Sequence, residues 1–140
     1  MNLGLKGKKV LITGASRGIG ASIAEGFLKE GAHVIIVSRG SSKLYEVQEL
    51  LKKQYQNSEI YAEKCDCTNQ ASLDNLYHRV KEIVQKVDIV IANIGDGRSV
   101  IDPLPEDGQW KKTWSTNFES ALYTARTFMP MLKKTKGCLL

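Results

Sequence analysis

The 140-residue chain has no apolar run long enough to cross a bilayer, so no membrane span is expected in it. Cysteine is sparse. Three cysteines, an odd number, with no leader-like segment, predict a reducing cytoplasmic setting rather than a disulfide framework. Cys65 and Cys67 form a C-x-C with no second pair and no nearby histidine, which excludes a tetrahedral zinc site. They read as small residues at a strand end, pointing to opposite faces. Histidine is also scarce. His33 and His78 have no partner in the sequence and read as surface or strand-edge residues. Lys and Arg outnumber Asp and Glu by 20 to 15, giving a net charge of +5. These charges form no stripe and have no interleaved aromatics, so a nucleic-acid footprint is excluded. Internal repeats, low-complexity tracts and linkers are missing too. What remains is an ordinary globular composition, 42% apolar and 25% charged, long enough for a single domain over residues 1–140.

Short β-branched runs alternate with longer runs of helical period. Strands are expected at residues 9–13, 33–37, 59–64 and 87–92. Helices are expected between them. The first spans 18–30, with Ile19, Ile23, Ala24, Phe27 and Leu28 on one face and Gly31 as its stop. The second spans 42–55. The third is capped by Thr68 or Asn69 and carries Leu73, Leu76, Tyr77, Val80, Ile83, Val84 and Val87 on one stripe. After a loop with Gly95, Gly97, Pro103 and Pro105, one long helix is predicted over 106–134, kinked or shortened by Pro130 and ended by Gly137. Cys138, Leu139 and Leu140 read as the start of a fifth strand. Such alternation predicts an α/β, Rossmann-type, doubly wound parallel sheet of four to five strands with helices on both faces.

The stretch Thr13-Gly14-Ala15-Ser16-Arg17-Gly18-Ile19-Gly20 lies between the first strand and the first helix. At such a turn, free backbone N–H groups and the positive helix end favour a pyrophosphate. Gly14 would make the tight turn, Gly18 and Gly20 would allow close approach, and Ser16 could donate a hydroxyl hydrogen bond. The second strand ends Val37-Ser38-Arg39-Gly40, without the acidic residue that binds ribose hydroxyls in NAD-binding units. Arg39 stands there instead, and Arg17 lies in the glycine loop. Two guanidinium groups suit a 2′-phosphate, so NADP(H) is expected over NAD(H).

The T-G-x-x-x-G-I-G stretch resembles the fingerprint of the short-chain dehydrogenases/reductases, and the resemblance continues in order through all 140 residues. Asp66-Cys67-Thr68 resembles the segment after the third strand, where Asp66 would meet the adenine and Cys67 would flank it. Ala92-Asn93-Ile94-Gly95 resembles the family's N-N-A-G, with Asn93 and Gly95 kept and expected to line the cofactor. Trp114-Ser115-Thr116-Asn117 resembles the long-helix segment that carries a catalytic asparagine, which puts Asn117 in that place. The resemblance implies hydride transfer between NADPH and a small carbonyl or alcohol substrate. It also implies contact between copies of the chain through helix 106–134, where Trp110 and Trp114 read as packing residues. The family's serine and its Tyr-x-x-x-Lys have no counterpart in place, so this stretch reads as the cofactor-binding portion, truncated before them. A non-catalytic dinucleotide-binding module and a functionless truncated product are the alternatives. Tyr77-His78-Arg79-Val80-Lys81 has the Tyr-x-x-x-Lys spacing but falls one crossover too early, so Tyr77 is expected to pack. Asp96-Gly97-Arg98-Ser99 reads as a polar surface loop near where substrate would enter.

Overall fold

A computed structural model describes residues 2–97 and 102–140. Arg98 and Ser99 of the polar loop lie outside the described residues. Five parallel strands form one sheet in the order β3-β2-β1-β4-β5. They are β1 (Lys9–Thr13), β2 (His33–Ser38), β3 (Ile60–Lys64), β4 (Ile89–Ile91) and β5 (Cys138–Leu139). The chain builds outward from β1 to β3, then returns to place β4 on the other side of β1. That reversal opens a crevice at the carboxyl ends of β1 and β4, the ligand position typical of such sheets.

The central strands are buried on both faces, which explains their unbroken apolar runs. Val10, Ile12, Val34 and Ile36 face α1 (Gly18–Lys29) and α2 (Ser42–Gln54), packing on Ala24, Leu28, Leu44 and Leu51. Leu11, Ile35, Val37 and Val90 face the opposite layer. There they meet Leu73, Leu76 and Val80 of α3 (Gln70–Val84) and Phe128, Met131 and Leu132 of the last helix. The resulting architecture is the expected doubly wound α/β sheet with helices on both faces.

Helix ends follow local chemistry. The end of α1 is closed by two bonds, Gly31 N–H to the Leu28 carbonyl and Ala32 N–H to the Phe27 carbonyl. At the start of α3 the cap is Asn69, whose Oδ1 accepts the Ser72 N–H at 3.0 Å. Thr68 is engaged elsewhere, with Asp66. Asn69→Ala should therefore cost about 1 kcal/mol, read as a lower urea midpoint at unchanged slope. Strand β4 is shorter than the apolar pattern suggests. Before it, the buried Asp88 side chain accepts the Lys9 N–H at 2.9 Å.

The long helix departs most from expectation. It runs as α4 (Asp107–Trp114), a π-helical turn (Ser115–Glu119) and α5 (Ser120–Thr135). Pro130 does not end it. Phe128, Met131 and Leu132 bury the turns on both sides of the proline, and this packing carries the helix past one missing N–H. The irregularity lies upstream, at the wide turn around Asn117. The left-handed residue at the helix end is Lys136, one position before the expected glycine. Helix α4 buries no residue; Trp110 and Trp114 are both exposed, and Trp114 stacks on Phe118 at 4.6 Å between ring centroids. Neither is buried by this chain.

Candidate functional site

The turn after β1 is held by bonds to the two neighbouring strands. Ala15 N–H donates to the Val37 carbonyl at 3.1 Å, tying the turn to β2. Thr13 Oγ1 accepts the Asn93 N–H at 3.0 Å, tying it to the end of β4. Gly14 takes φ +65°, a conformation open to glycine and strained for other residues. Gly20 has the tighter constraint. A Cβ there would lie 2.7 Å from Asn93 Nδ2 and 2.9 Å from Ala15 Cα, and would overlap the Gly14 carbonyl oxygen. The first turn of α1 thus packs against the turn that precedes it. Arg17 supplies no side-chain cap, and the first turn of α1 holds no acid. The positive end of the helix is left open to the crevice.

Around this turn lies a cleft of about 800 Å³. Gly14, Ser16, Arg17, Gly18, Ile19, Gly20, Arg39, Asn93 and Gly95 line it, all of them residues singled out in the sequence. Ile19 is 75% exposed, so it belongs to the cleft and not to the buried face of α1. It sits at the first turn, ahead of where α1 meets the sheet. Ser38, Gly40, Ser42, Lys43 and Ile94 also line the cleft and were not foreseen. Ser38 Oγ donates to the Gly40 carbonyl at 2.6 Å, a clamp that spans Arg39. A search of the loop and first helical turn after Arg39 would have found Lys43. The cleft lining contains three cations, Arg17, Arg39 and Lys43, and no Asp or Glu. None of the three joins an ion pair among the described residues. A concave, acid-free, cationic wall beside an open helix end suits a ligand that carries phosphate.

Three predicted residues stand outside this lining. Asp66 Oδ1 accepts both the Thr68 N–H at 3.0 Å and the Thr68 hydroxyl at 2.7 Å, fixing the turn after β3. Cys67 is wholly buried and presents no side-chain surface to a ligand. Contrary to expectation, Cys65 and Cys67 face the same core. Both lie past the end of β3, and the chain turns at Cys67, so the two-residue alternation of a strand no longer applies. A hydrogen bond from Cys67, aided by one from Ser72, lowers the Cys65 thiol to about 7. The same contact and burial push the Cys67 thiol up. Asn117, on the π-helical turn, accepts the Asp96 N–H at 2.9 Å and donates to the Thr113 carbonyl at 3.0 Å. It joins that helix to the loop that carries Gly95.

The Tyr77 ring is half-buried and tilted against Phe128 at 5.8 Å between centroids. It lines a separate groove with Gln70 and Arg126, so the packing role holds. Tyr77→Phe should leave dinucleotide binding unchanged in a fluorescence titration; a lost site would contradict that role. His33 Nδ1 accepts the Glu59 N–H at 2.8 Å beside the strand edge, and His78 is exposed. Among the described residues no cluster of His, Cys, Asp or Glu could hold a metal, and no helix is long and apolar enough to cross a membrane.

Known proteins share this arrangement. The fatty acyl-CoA reductase of Acinetobacter baylyi is 33% identical over 136 residues, 95% of this chain and 45% of that protein. The crystal structure of L-sorbose reductase from Gluconobacter frateurii, complexed with NADPH and L-sorbose, superposes with a TM-score of 0.92 at 31% identity, over 99% of this chain and 53% of that one. An NADPH-dependent 3-quinuclidinone reductase from Rhodotorula rubra gives a TM-score of 0.86 at 29% identity, over 96% of this chain and 51% of its own. The chain spans about half the length of the relatives it matches. The short chain dehydrogenase family matches residues 8–139, nearly the whole sequence. With its glycine turn, crevice and strand order, this chain belongs to the short-chain dehydrogenase family of oxidoreductases.

Proposed function

We propose that these residues form a single dinucleotide-binding domain, the NADP(H)-holding part of a cytoplasmic oxidoreductase acting on a carbonyl or hydroxyl group. The observation that carries this reading is the cleft wall: three cations that join no ion pair among the described residues, with no Asp or Glu in the lining. Gly14, Gly18 and Gly20 would admit a pyrophosphate to the open end of α1, with Ser16 as a hydroxyl donor. Arg17 and Arg39 would hold the 2′-phosphate with their forked donors. Asn93 and Gly95 would line the far side of the cofactor, and Asp66 the adenine end, with the buried Cys67 offering its backbone alone. The NADPH complex of the sorbose reductase and the NADPH dependence of the quinuclidinone reductase support this choice. The bound nicotinamide would supply the hydride, and the protein supplies position and field.

Asn117 is the counterpart of the family's catalytic asparagine, and it stands alone. The family's serine and Tyr-x-x-x-Lys have no match in place among these 140 residues. Acid/base transfer of this kind contributes about 100- to 10,000-fold, so these residues by themselves should bind cofactor without appreciable turnover. Displacement of a bound fluorescent nucleotide by 2′,5′-ADP and by 5′-ADP isolates the phosphate reading. Tighter displacement by 2′,5′-ADP is expected; equal displacement would refute the assignment of Arg17 and Arg39.

A further inference from the structure

Building on the NADP(H) reading, we infer that Lys43 is a third determinant of cofactor choice, meeting the same ribose phosphate as Arg17 and Arg39. Lys43 is the second residue of α2 and lies four positions past Arg39 on the same wall of the cleft. Its backbone is fixed by its neighbour Leu44, which is fully buried against the sheet. Its side chain is exposed. Acids on the same helix do not neutralise it. Glu46 makes no ion pair with it, and Glu49 is engaged by Lys52.

Charge complementarity places a third cation usefully on the same wall. A phosphate monoester carries about −1.5 to −2 charges at pH 7 and three strong acceptor oxygens, which two guanidinium forks and one ammonium can share. Arg17 and Arg39 sit on the two turns that follow β1 and β2, and their planar forks suit fixed contacts. An ammonium on a flexible four-carbon stem acts as a mobile point charge, suited to the outer oxygens of the same group. A role confined to this phosphate predicts an effect on NADPH with none on NADH.

The test titrates NADPH and NADH into the parent chain and into the variants Lys43→Gln, Lys43→Glu and Lys43→Arg. Lys43→Gln should weaken NADPH by about 3- to 10-fold, in line with loss of one exposed charged contact. Lys43→Glu should weaken it further, Lys43→Arg should retain parent affinity, and NADH should be unaffected in all three. Added salt should shrink the NADPH preference of the parent more than that of Lys43→Gln, because screening acts on the charge that the variant already lacks. A parent chain with no preference for NADPH would refute the NADP(H) assignment and the role of Lys43 with it. A parent that prefers NADPH, with a Lys43→Gln variant that keeps the full preference, would refute the role of Lys43 alone. Equal losses of NADPH and NADH would also refute it, since that pattern belongs to a general binding or structural residue.

Discussion

Arg39→Asp should invert the cofactor preference of this chain. Affinity for NADPH should fall by about 100-fold, since a charged hydrogen bond is lost and a like charge now faces the phosphate. Affinity for NADH should rise, because a carboxylate at the end of β2 can accept the ribose hydroxyls. The structure gives the substitution a clear setting. Arg39 lies between Ser38 and Gly40, whose hydrogen bond fixes the local turn, and the side chain is exposed in the cleft. Nothing in the core depends on it. The thermal midpoint should stay near that of the parent, which separates a changed ligand site from a damaged fold. Titration of both nucleotides against parent and variant checks the prediction. An unchanged NADPH affinity in a folded variant would remove Arg39 from the site.

Gly20→Val should abolish dinucleotide binding and destabilise the fold. The first carbon of any side chain at this position meets the Gly14 carbonyl, Ala15 Cα and Asn93 Nδ2. Two of those groups are backbone and cannot swing aside. Overpacking of this kind costs about 1–3 kcal/mol. Relief would require α1 to move away from β1, and the helix end would then no longer meet the glycine turn. Gly26, on the same helix, provides the control. A Cβ there meets nothing within 4 Å, so Gly26→Ala should bind normally and gain up to about 1 kcal/mol from helix propensity. Urea unfolding and NADPH titration of the two variants should move in opposite directions in stability, with binding lost in one alone. Retained binding in Gly20→Val would show that close packing of α1 on the turn is not required.

The architecture was legible in the sequence because the strands are buried on both sides. Val10-Leu11-Ile12 and Val34-Ile35-Ile36-Val37 contribute alternately to two cores, so each reads as an unbroken apolar run bounded by glycine or polar residues. The glycine turn was legible for a similar reason, since its spacing is set by steric contacts that only glycine allows. Other features depend on contacts remote in sequence. Ile19 and Ile83 fit the helical period yet are exposed, because a helix buries a narrower stripe than periodicity alone marks. Cys65 and Cys67 share one core because β3 has ended and the chain turns at Cys67, where strand alternation gives no guide. The π-helical turn at Asn117 leaves no compositional mark. It is visible only where the asparagine side chain joins the Asp96 backbone to that of Thr113. Lys43 was missed because its role follows from where α2 begins relative to the cleft.

The central claim is that these residues alone hold a dinucleotide and distinguish it by its 2′-phosphate. Isothermal titration of the 140-residue chain with NADPH, and separately with NADH, tests it most directly. Saturable one-to-one binding of NADPH, tighter than NADH by about 10-fold or more, is the expected result, given the charged contacts available to the extra phosphate. No binding by the folded chain, or equal affinity for both nucleotides, would contradict it.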